Sequence, residues 1–384
     1  METRASGMRT VENGHQSADE RFMRLALQLA ARGRGRTSPN PMVGAVLVKR
    51  GQVIAQGYHR LVGGPHAEIE ALRQAGRRAR QATLYVTLEP CRHHGRTPPC
   101  TGALLAAGLK RVVIAARDPN PLMNGRSIRQ LKQAGLDVRV GFLQEPARRL
   151  NAGFEKVMRQ GLPHVVAKVA QSLDGKIATA SGESRWITSA ASRRMTHLLR
   201  READAVLVGI KTVLADDPRL SARGGGFRQP QPIKVILDSR LRAPATARCL
   251  SAAPSGRAVV ATTVRNAAKQ RRLERRGAQV LVLPPRPDGR VPLRPLFKAL
   301  ARQGVQRLLL EGGGEVLAGA LEERLVDRVV WFLAPVLLGG RSAPGAVGGR
   351  GASRLRDAIR LDDIRIRRLG PDLCVEGRVV YPGS

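Results

Sequence analysis

Short apolar runs alternate with amphipathic helical segments along most of the chain, and this alternation limits the folds open to it. The apolar runs are bounded by glycine and polar residues, a pattern typical of strands in a sheet that is covered on both faces. Strands and helices in alternation pack as helices against a sheet, so the sequence predicts a layered α/β fold. At 384 residues the chain exceeds the usual size of a single core, which predicts two domains.

The alternation falls into two series. The first, over residues 18–145, predicts an α/β domain that begins with an amphipathic helix and two neighbouring strands joined by a tight turn. Residues 146–162 predict a helical connector, because the pattern ends at Gly161 and a proline. The second series, over residues 163–382, predicts another α/β domain with a largely parallel sheet.

The composition is strongly basic, with 66 Lys and Arg against 30 Asp and Glu and a formal net charge of +36. Such a charge suits nucleic acid or phosphorylated small molecules. The basic residues are spread along the whole chain and only 3% of residues are aromatic, so we expect no nucleic-acid partner. No apolar run resembles a signal peptide or a membrane span, which predicts a cytoplasmic protein without membrane attachment. The isolated Cys249 and Cys374 predict no special chemistry.

Three potential zinc ligands follow predicted strands of the first series. His66 opens a predicted helix in "GGPHAEIEAL", and Cys91 and Cys100 lie in the loop "TLEPCRHHGRTPPC". A β-α-β arrangement would bring the three side chains to one rim of the sheet. A catalytic zinc site uses three such ligands and keeps its fourth position for water. These residues therefore predict a zinc site.

Glu68 lies two residues after His66, at the start of the same predicted helix. A carboxylate in that position can take a proton from zinc-bound water and return it to a leaving amine. The pattern H-x-E followed by P-C is typical of zinc deaminases, in which the glutamate is not a ligand. The alternative is a closed structural zinc site with a fourth ligand from His93, His94 or His59.

Two other functions are compatible with the same residues. A zinc deaminase acting on nucleic-acid bases would use the positive charge for affinity, and its second domain would not be catalytic. A basic binding protein stabilised by zinc would need no catalysis, and it would keep its function when Glu68 is replaced by glutamine.

The deaminase motifs resemble those of the bifunctional deaminase/reductase family of riboflavin biosynthesis (RibD type). The segments that carry the resemblance are "TSPNPMVGAVLV", "GGPHAEIEAL" and "YVTLEPCRHHGRTPPCTGALLAAGLKRVVIAARDPNP". The wide spacing of the cysteines, with eight residues between them, belongs to that family. The resemblance implies a cytidine-deaminase-like α/β/α domain in which His66, Cys91 and Cys100 bind zinc and Glu68 moves the proton.

Two polar residues of this first half are substrate-contact candidates by the same resemblance. Asn40 and His59 fall in family motifs that line the pocket, although each is alternatively a turn-forming or internally bonded polar residue. The sequence departs from the family pattern at Ser127, where we expect glycine.

The second half resembles the reductase part of the family through "KVAQSLDGK", "SGESRWIT", "TVLADDPRL", "ILDSRLRAP" and "LLLEGGGEVLAGAL". The last segment runs from a predicted strand through three glycines into a helix, and it alternatively reads as a plain turn. The resemblance implies a dihydrofolate-reductase-like α/β fold, NADPH as hydride donor and a ribosyl phosphate compound as acceptor. The implied cofactor-binding residues are Ala170, Trp186, Thr212, Asp216, Ser239, Gly313 and Gly314. The implied substrate-binding residues are Ser184, Arg200, Leu220, Arg223 and Glu311.

Physical roles can be assigned to some of these residues. Arg200 and Arg223 can each bind a phosphate through two parallel hydrogen bonds. Trp186 packs either beside the nicotinamide or in the core. Hydride transfer also needs a proton source, for which Lys168 is the first candidate, ahead of Asp174 and Glu311. The resemblance thus implies a deamination followed by a reduction on a small phosphoribosyl pyrimidine, and the sequence is compatible with a homo-oligomer.

Overall fold

The computed structural model describes residues 7–92, 99–224, 230–250 and 256–383, with side chains from residue 18 onward. The described chain divides into two compact units, one ending at Gln160 and the other beginning at Gly161. The helices are α1 (Gly7–Ala31), α2 (Ala67–Ala75), α3 (Cys100–Ala106), α4 (Arg126–Gln133), α5 (Gln144–Leu150), α6 (Ala152–Gln160), α7 (Ala190–Glu202), α8 (Ile210–Asp216), α9 (Ala267–Glu274), α10 (Leu293–Arg302) and α11 (Gly314–Glu322). The strands are β1 (Gly44–Lys49), β2 (Gln52–Tyr58), β3 (Thr83–Leu88), β4 (Arg111–Ala116), β5 (Asp137–Val140), β6 (His164–Ser172), β7 (Ala205–Gly209), β8 (Ile233–Leu237), β9 (Ala258–Thr262), β10 (Ala278–Val282), β11 (Arg307–Leu310), β12 (Arg328–Ala334), β13 (Arg360–Leu369) and β14 (Asp372–Val380).

The first unit is a five-stranded sheet with helices on both faces. Its strand order is β2-β1-β3-β4-β5, with β1 antiparallel to both neighbours and β3, β4 and β5 parallel. Successive residues of a strand point to opposite faces, so Leu47 and Leu84 pack with α2, α3 and α4, whereas Val46 and Tyr85 pack with α1, α5 and α6. The layered α/β fold expected for this half is confirmed.

Helices α5 and α6 occupy much of the segment expected to be a connector, and they pack as part of the first unit. Phe154 of α6 is 8% exposed and lies in the same core cluster as Met23 of α1. Asn151, between the two helices, is 6% exposed, and its side chain bonds both the backbone N–H and the carbonyl of Met42 at 2.8 Å. These bonds fix the segment that leads into β1.

The second unit contains a nine-stranded sheet in the order β10-β9-β8-β7-β11-β6-β12-β14-β13. Every pair from β10 to β12 is parallel, which confirms the largely parallel sheet, and the last two strands form an antiparallel hairpin. One face packs against α10 and α11 around Phe297, and the other packs against α8 and α9 around Val213 and Leu273. The β13–β14 hairpin and α8 were not predicted from the sequence.

Among the described residues, no helix combines the length and the apolar character that crossing a bilayer requires.

Candidate active sites

The first unit contains a cavity of about 480 Å³ beyond the carboxyl ends of β3 and β4. Its wall is built from the turn before β1, the segment between β2 and α2, the residues that follow β3 and β4, and α6. The volume lies in the usual range for sites of small molecules. The residues that line the cavity include Asn40, His59, His66, Glu68, Glu89, Cys91, Asp118, Asn120, Phe154 and Met158.

Three side chains with the chemistry of zinc ligands meet beside this cavity. His66 precedes the first turn of α2 in an extended conformation, Cys100 is the first residue of α3, and Cys91 lies in the loop after β3. The Nδ1 atom of His66 is 3.2 Å from Cys100 Sγ and 3.4 Å from Cys91 Sγ. Tetrahedral zinc with ordinary bond lengths separates such ligand atoms by roughly 3.6 Å, so the group fits a zinc ion.

Hydrogen bonding within the group favours a thiolate. A bond from the Cys100 thiol, helped by His66 and the Cys100 backbone N–H, lowers the pKa of Cys91 to about 4. The same thiol–thiolate bond and burial raise the pKa of Cys100. The bond to Cys91 raises the pKa of His66. A bound dication would deprotonate the second thiol as well, because a coordinating thiol binds as its thiolate.

Glu68 is the second residue of α2 and is only 3% exposed. Burial raises the pKa of its carboxyl group, since the charged form is poorly solvated there. The carboxyl group also lies within hydrogen-bonding range of the Cys100 thiol. A carboxyl group that holds its proton more tightly than usual is suited to both accepting and donating one near neutral pH.

His59 and Asn40 form one hydrogen-bonded pair on the cavity wall. The Nε2 atom of His59 is 3.1 Å from Asn40 Nδ2, and its Nδ1 is 3.0 Å from the carbonyl oxygen of Pro65. The amide must donate to Nε2 and Nδ1–H must donate to the carbonyl, which defines a neutral tautomer. Burial lowers the pKa of His59 in agreement. Because both ring nitrogens are used, His59 is not available as a fourth metal ligand; His93 and His94 lie outside the described residues.

In the second unit, the cofactor candidates gather at one edge of the sheet. Thr212 and Asp216 lie in α8 after β7, Ser239 follows β8, and Gly313 and Gly314 follow β11. The carboxyl ends of these parallel strands share one edge, where open α/β sheets bind their ligands.

The glycine turn before α11 leaves room for a phosphate. A Cβ atom on Gly313 would meet nothing within 4 Å, whereas one on Gly314 would lie 2.7 Å from the carbonyl oxygen of Gly345. The negative Glu315 in the first turn is directed toward Arg290, at 3.2 Å. An open backbone surface at a helix N-terminus suits a cofactor phosphate.

The substrate candidates Arg200 and Glu311 bind each other. Nε and Nη2 of Arg200 lie 2.6 and 2.8 Å from the two oxygens of Glu311, and Nη1 donates to the carbonyl of Ser221 at 3.3 Å. Their side chains are 14% and 7% exposed. Burial opposes ionisation of Glu311, but the charges of Arg200 and Lys168 outweigh it, so the pKa of Glu311 lies below its usual value. The Arg200 fork is thus engaged by a carboxylate, and Arg223 is the exposed guanidinium nearby.

Lys168 belongs to the same cluster. It lies in β6, with its ammonium 5.9 Å from the ring centre of Phe332. Burial, reinforced by the charge of Arg200, lowers the pKa of Lys168 although Glu311 acts in the opposite direction. A lysine with a lowered pKa gives up its proton more readily.

Sequence reasoning missed His197, one helical turn before Arg200 on α7. Burial and the charges of Arg200 and Arg223 lower its pKa, so the ring is neutral. Its Nδ1 is buried and has no hydrogen-bond partner within the described part of the chain. The sequence signal for His197 was its spacing of three residues from Arg200, which places both side chains on the same face of a helix.

Ser184 and Asp216 meet, with Ser184 Oγ 3.4 Å from Asp216 Oδ1. The guanidinium of Arg185 also donates to the backbone oxygen of Asp216. Trp186 is 71% exposed, and the guanidinium of Arg193 lies 4.6 Å from its ring centre, so the alternative of a core tryptophan is wrong. The ring is accessible for stacking.

The remaining candidates are Ala170, Asp174 and Leu220. Ala170 lies two residues after Lys168 on β6, and Asp174, in the turn after β6, accepts from the backbone N–H groups of Leu338 and Gly339 at 3.1 and 2.7 Å. A bond from the Ser172 hydroxyl, together with these two backbone bonds, lowers the pKa of Asp174 to about 2. A carboxyl group of that kind is a poor proton donor, and its bonds give it a structural role. Leu220 is 2% exposed with a φ of 52°, a left-handed conformation that is rare for a bulky residue.

Family models match both units of the chain. A family model described as the cytidine and deoxycytidylate deaminase zinc-binding region matches residues 16–116, and the RibD C-terminal domain matches residues 163–375. Riboflavin biosynthesis protein RibD of Aquifex aeolicus is 44% identical over 357 residues, which cover 93% of this chain and 97% of that protein. The chain is a member of the RibD family. The Escherichia coli family member is 42% identical over 368 residues, which cover 93% of this chain and 98% of that protein.

Solved structures of RibD proteins have the same fold. Acinetobacter baumannii RibD is 39% identical with a TM-score of 0.86, and the match covers 95% of this chain and 100% of that one. A Thermotoga maritima protein described as a diaminohydroxyphosphoribosylaminopyrimidine deaminase/5-amino-6-(5-phosphoribosylamino)uracil reductase is 33% identical with a TM-score of 0.83, at the same coverage. The expected cytidine-deaminase-like and dihydrofolate-reductase-like folds are confirmed. As a RibD-type enzyme the chain combines a zinc-dependent deaminase with an NADPH-dependent reductase.

Proposed function

We propose that the first unit hydrolytically deaminates 2,5-diamino-6-(5-phosphoribosylamino)pyrimidin-4(3H)-one to 5-amino-6-(5-phosphoribosylamino)uracil. The second unit then reduces the ribosyl group of that product to the ribityl chain with NADPH. The substrates are those named for the Thermotoga maritima relative. The observation that carries the proposal is the His66, Cys91 and Cys100 group beside the buried Glu68, at a cavity of small-molecule size.

In the deaminase, His66, Cys91 and Cys100 would hold the zinc ion. When bound, zinc supplies a Lewis acid that lowers the pKa of a coordinated water molecule. Glu68 accepts a proton from the attacking water molecule and later delivers it to the leaving amine. Its burial and raised pKa support this role. Asn40 contacts the ring of the substrate, and the neutral His59 holds the Asn40 amide in one orientation through their hydrogen bond.

In the reductase, the residues that would hold NADPH are Ala170, Trp186, Thr212, Asp216, Ser239, Gly313 and Gly314. NADPH supplies the hydride for the sugar carbon. Lys168 donates the proton, because its lowered pKa makes transfer easier. Arg200 holds the Glu311 carboxylate in place.

Ser184 and Leu220 contact the substrate of the reductase. Arg223 binds its phosphate, since the Arg200 fork is already engaged by Glu311.

The test is incubation of the enzyme with the diaminopyrimidinone ribosyl phosphate, with and without NADPH. We expect ammonia release without cofactor, and oxidation of NADPH only when the deaminated product is present. Ammonia release that requires NADPH, or oxidation of NADPH by the diamino compound itself, would contradict the proposed order.

Glu68→Gln provides the matched variant for the first site. We expect it to retain zinc and reductase activity while losing deaminase activity by at least about a hundredfold, as is usual for a proton-transfer group. Retained deaminase activity in a zinc-loaded variant would contradict the assigned role.

A further inference from the structure

Glu89 is a buried carboxylate that accepts four hydrogen bonds beside the deaminase cavity. Oε2 accepts from the backbone N–H groups of Asp118 and Gly125 at 3.2 and 3.0 Å. Oε1 accepts from Ser127 twice, from its N–H at 3.2 Å and its hydroxyl at 2.7 Å. Glu89 is 3% exposed. Four acceptor positions are what an ionised carboxylate offers, so this group is fully satisfied by one stretch of chain.

That stretch runs from the loop after β4 into the first turn of α4, and the loop forms part of the cavity wall. Asp118 and Asn120 both line the cavity. Within the loop, Asp118 Oδ1 accepts from the N–H of Asn120 at 2.8 Å, and Asn120 Oδ1 accepts from that of Leu122 at 3.0 Å. Glu89 thus holds the loop at its beginning and its end, and the internal bonds fix the part between.

The same residue also connects this loop to the metal group. Glu89 follows β3 directly, and its own N–H donates to the carbonyl of Ala116 at the end of β4 at 2.9 Å. Cys91 lies only two residues farther along the chain. A change at Glu89 therefore acts on the part of the cavity wall formed by Asp118 and Asn120 through defined bonds.

Ser127 adds a side-chain hydrogen bond to this arrangement. It is the position at which the sequence departs from the glycine expected for the family, and it is fully buried. Glycine would supply the backbone N–H but not the hydroxyl bond at 2.7 Å, which is the shortest of the four. Hydrogen bonds to charged groups are stronger than those between neutral groups.

We propose that Glu89 and Ser127 act as a positioning pair for the deaminase, holding the 118–125 loop in the geometry that binds the pyrimidine substrate. The inference rests on the proposed deaminase function and deepens it. Neither residue carries out the chemistry. Loss of either side chain weakens substrate binding more than it slows the chemical step. The loop can still adopt the geometry that binds substrate, but part of the binding free energy is then spent on ordering it.

The experiment compares Ser127→Ala, Glu89→Gln and the double variant as full-length enzymes loaded with zinc. We expect Ser127→Ala to raise KM for deamination by about tenfold, with kcat changed by less than about threefold. Glu89→Gln should raise KM by about a hundredfold, because an amide nitrogen then faces backbone donors. The double variant should match Glu89→Gln, since Ser127 acts through Glu89. Zinc content and reductase activity should stay unchanged in Ser127→Ala.

Tyr85→Phe is the matched control. It removes another buried hydrogen bond to a carboxylate, from the Tyr85 hydroxyl to Asp19 at 2.6 Å, away from the cavity lining. It should leave KM unchanged. An unchanged KM in Ser127→Ala, an equal rise in Tyr85→Phe, or additive effects in the double variant would each overturn the inference. Absence of ammonia release from the unaltered enzyme would overturn the proposed function first, and this inference with it.

Discussion

Replacing Glu311 by glutamine tests the buried charge cluster of the second unit. The two bonds between Arg200 and Glu311, at 2.6 and 2.8 Å, join side chains that are 14% and 7% exposed. Charges roughly 4 Å apart attract by about 4 kcal/mol at an effective dielectric constant of about 20. The substitution leaves the buried Arg200 without its anion, and it removes the one negative charge that acts on Lys168 among the described residues.

Removing one partner of a buried ion pair costs about 3–5 kcal/mol, because the other charge stays desolvated and uncompensated. We therefore expect Glu311→Gln to lower the free energy of unfolding of the second unit by that amount. Both tryptophans of the chain, Trp186 and Trp331, lie in the second unit, so tryptophan fluorescence during urea unfolding reports on this unit alone. Asp362→Asn, which removes an exposed ion pair with Arg378, is the control and should have no resolvable effect.

The pH dependence gives a second measure of the same interaction. The folded-state pKa of Glu311 lies below its unfolded value, so its contribution to stability is complete above the unfolded pKa of about 4.3. The contribution is lost as the pH falls from there through the lowered folded-state pKa. The stabilities of the unaltered enzyme and Glu311→Gln should therefore converge in acid. A difference below about 1 kcal/mol at neutral pH, or curves that stay parallel in acid, would refute the reasoning.

Three further expectations concern the first unit. Asn151→Ala should lower its free energy of unfolding by about 2–4 kcal/mol, measured by calorimetry, because two buried backbone groups of Met42 lose their partners. Phe154→Ala should weaken binding of the diaminopyrimidinone, seen as a raised KM with zinc retained, because the side chain forms part of the cavity wall; an unchanged KM would contradict this. Removal of zinc with a chelator should abolish ammonia release and leave NADPH oxidation with the deaminated product intact; parallel loss of both would show that the metal supports more than the first unit.

The parts of the fold that follow local patterns were predictable from the sequence. The apolar runs that became β1, β3 and β4 are bounded by turn residues, and their burial on both faces leaves a strong signal. The hairpin of β13 and β14 was missed because its first strand, "RLDDIRIRRL", is mostly exposed and charged. Such a strand is specified by its pairing with β14, which no local window contains.

The metal group was predictable because its chemistry limits the choice of residues. His66, Cys91 and Cys100 are ligand types at motif positions, and the structure brings them together. The role of Arg200 was less predictable. Its residue type suits a phosphate as well as a carboxylate, and only the fold shows that Glu311 takes both arms of its fork. Glu89 was missed because its partners are mostly backbone N–H groups, which carry no sequence signal.

Helix α6 determines where this polypeptide can be divided into two independent enzymes. Its residues Phe154 and Met158 line the cavity of the first unit, yet the helix ends next to the first residue of the second unit. A deaminase fragment that stops at residue 145, where the five-stranded sheet is already complete, would lack the part of the cavity wall that α6 forms. A fragment continued through Gln160 would keep it, so the productive cut is at the Gln160–Gly161 junction.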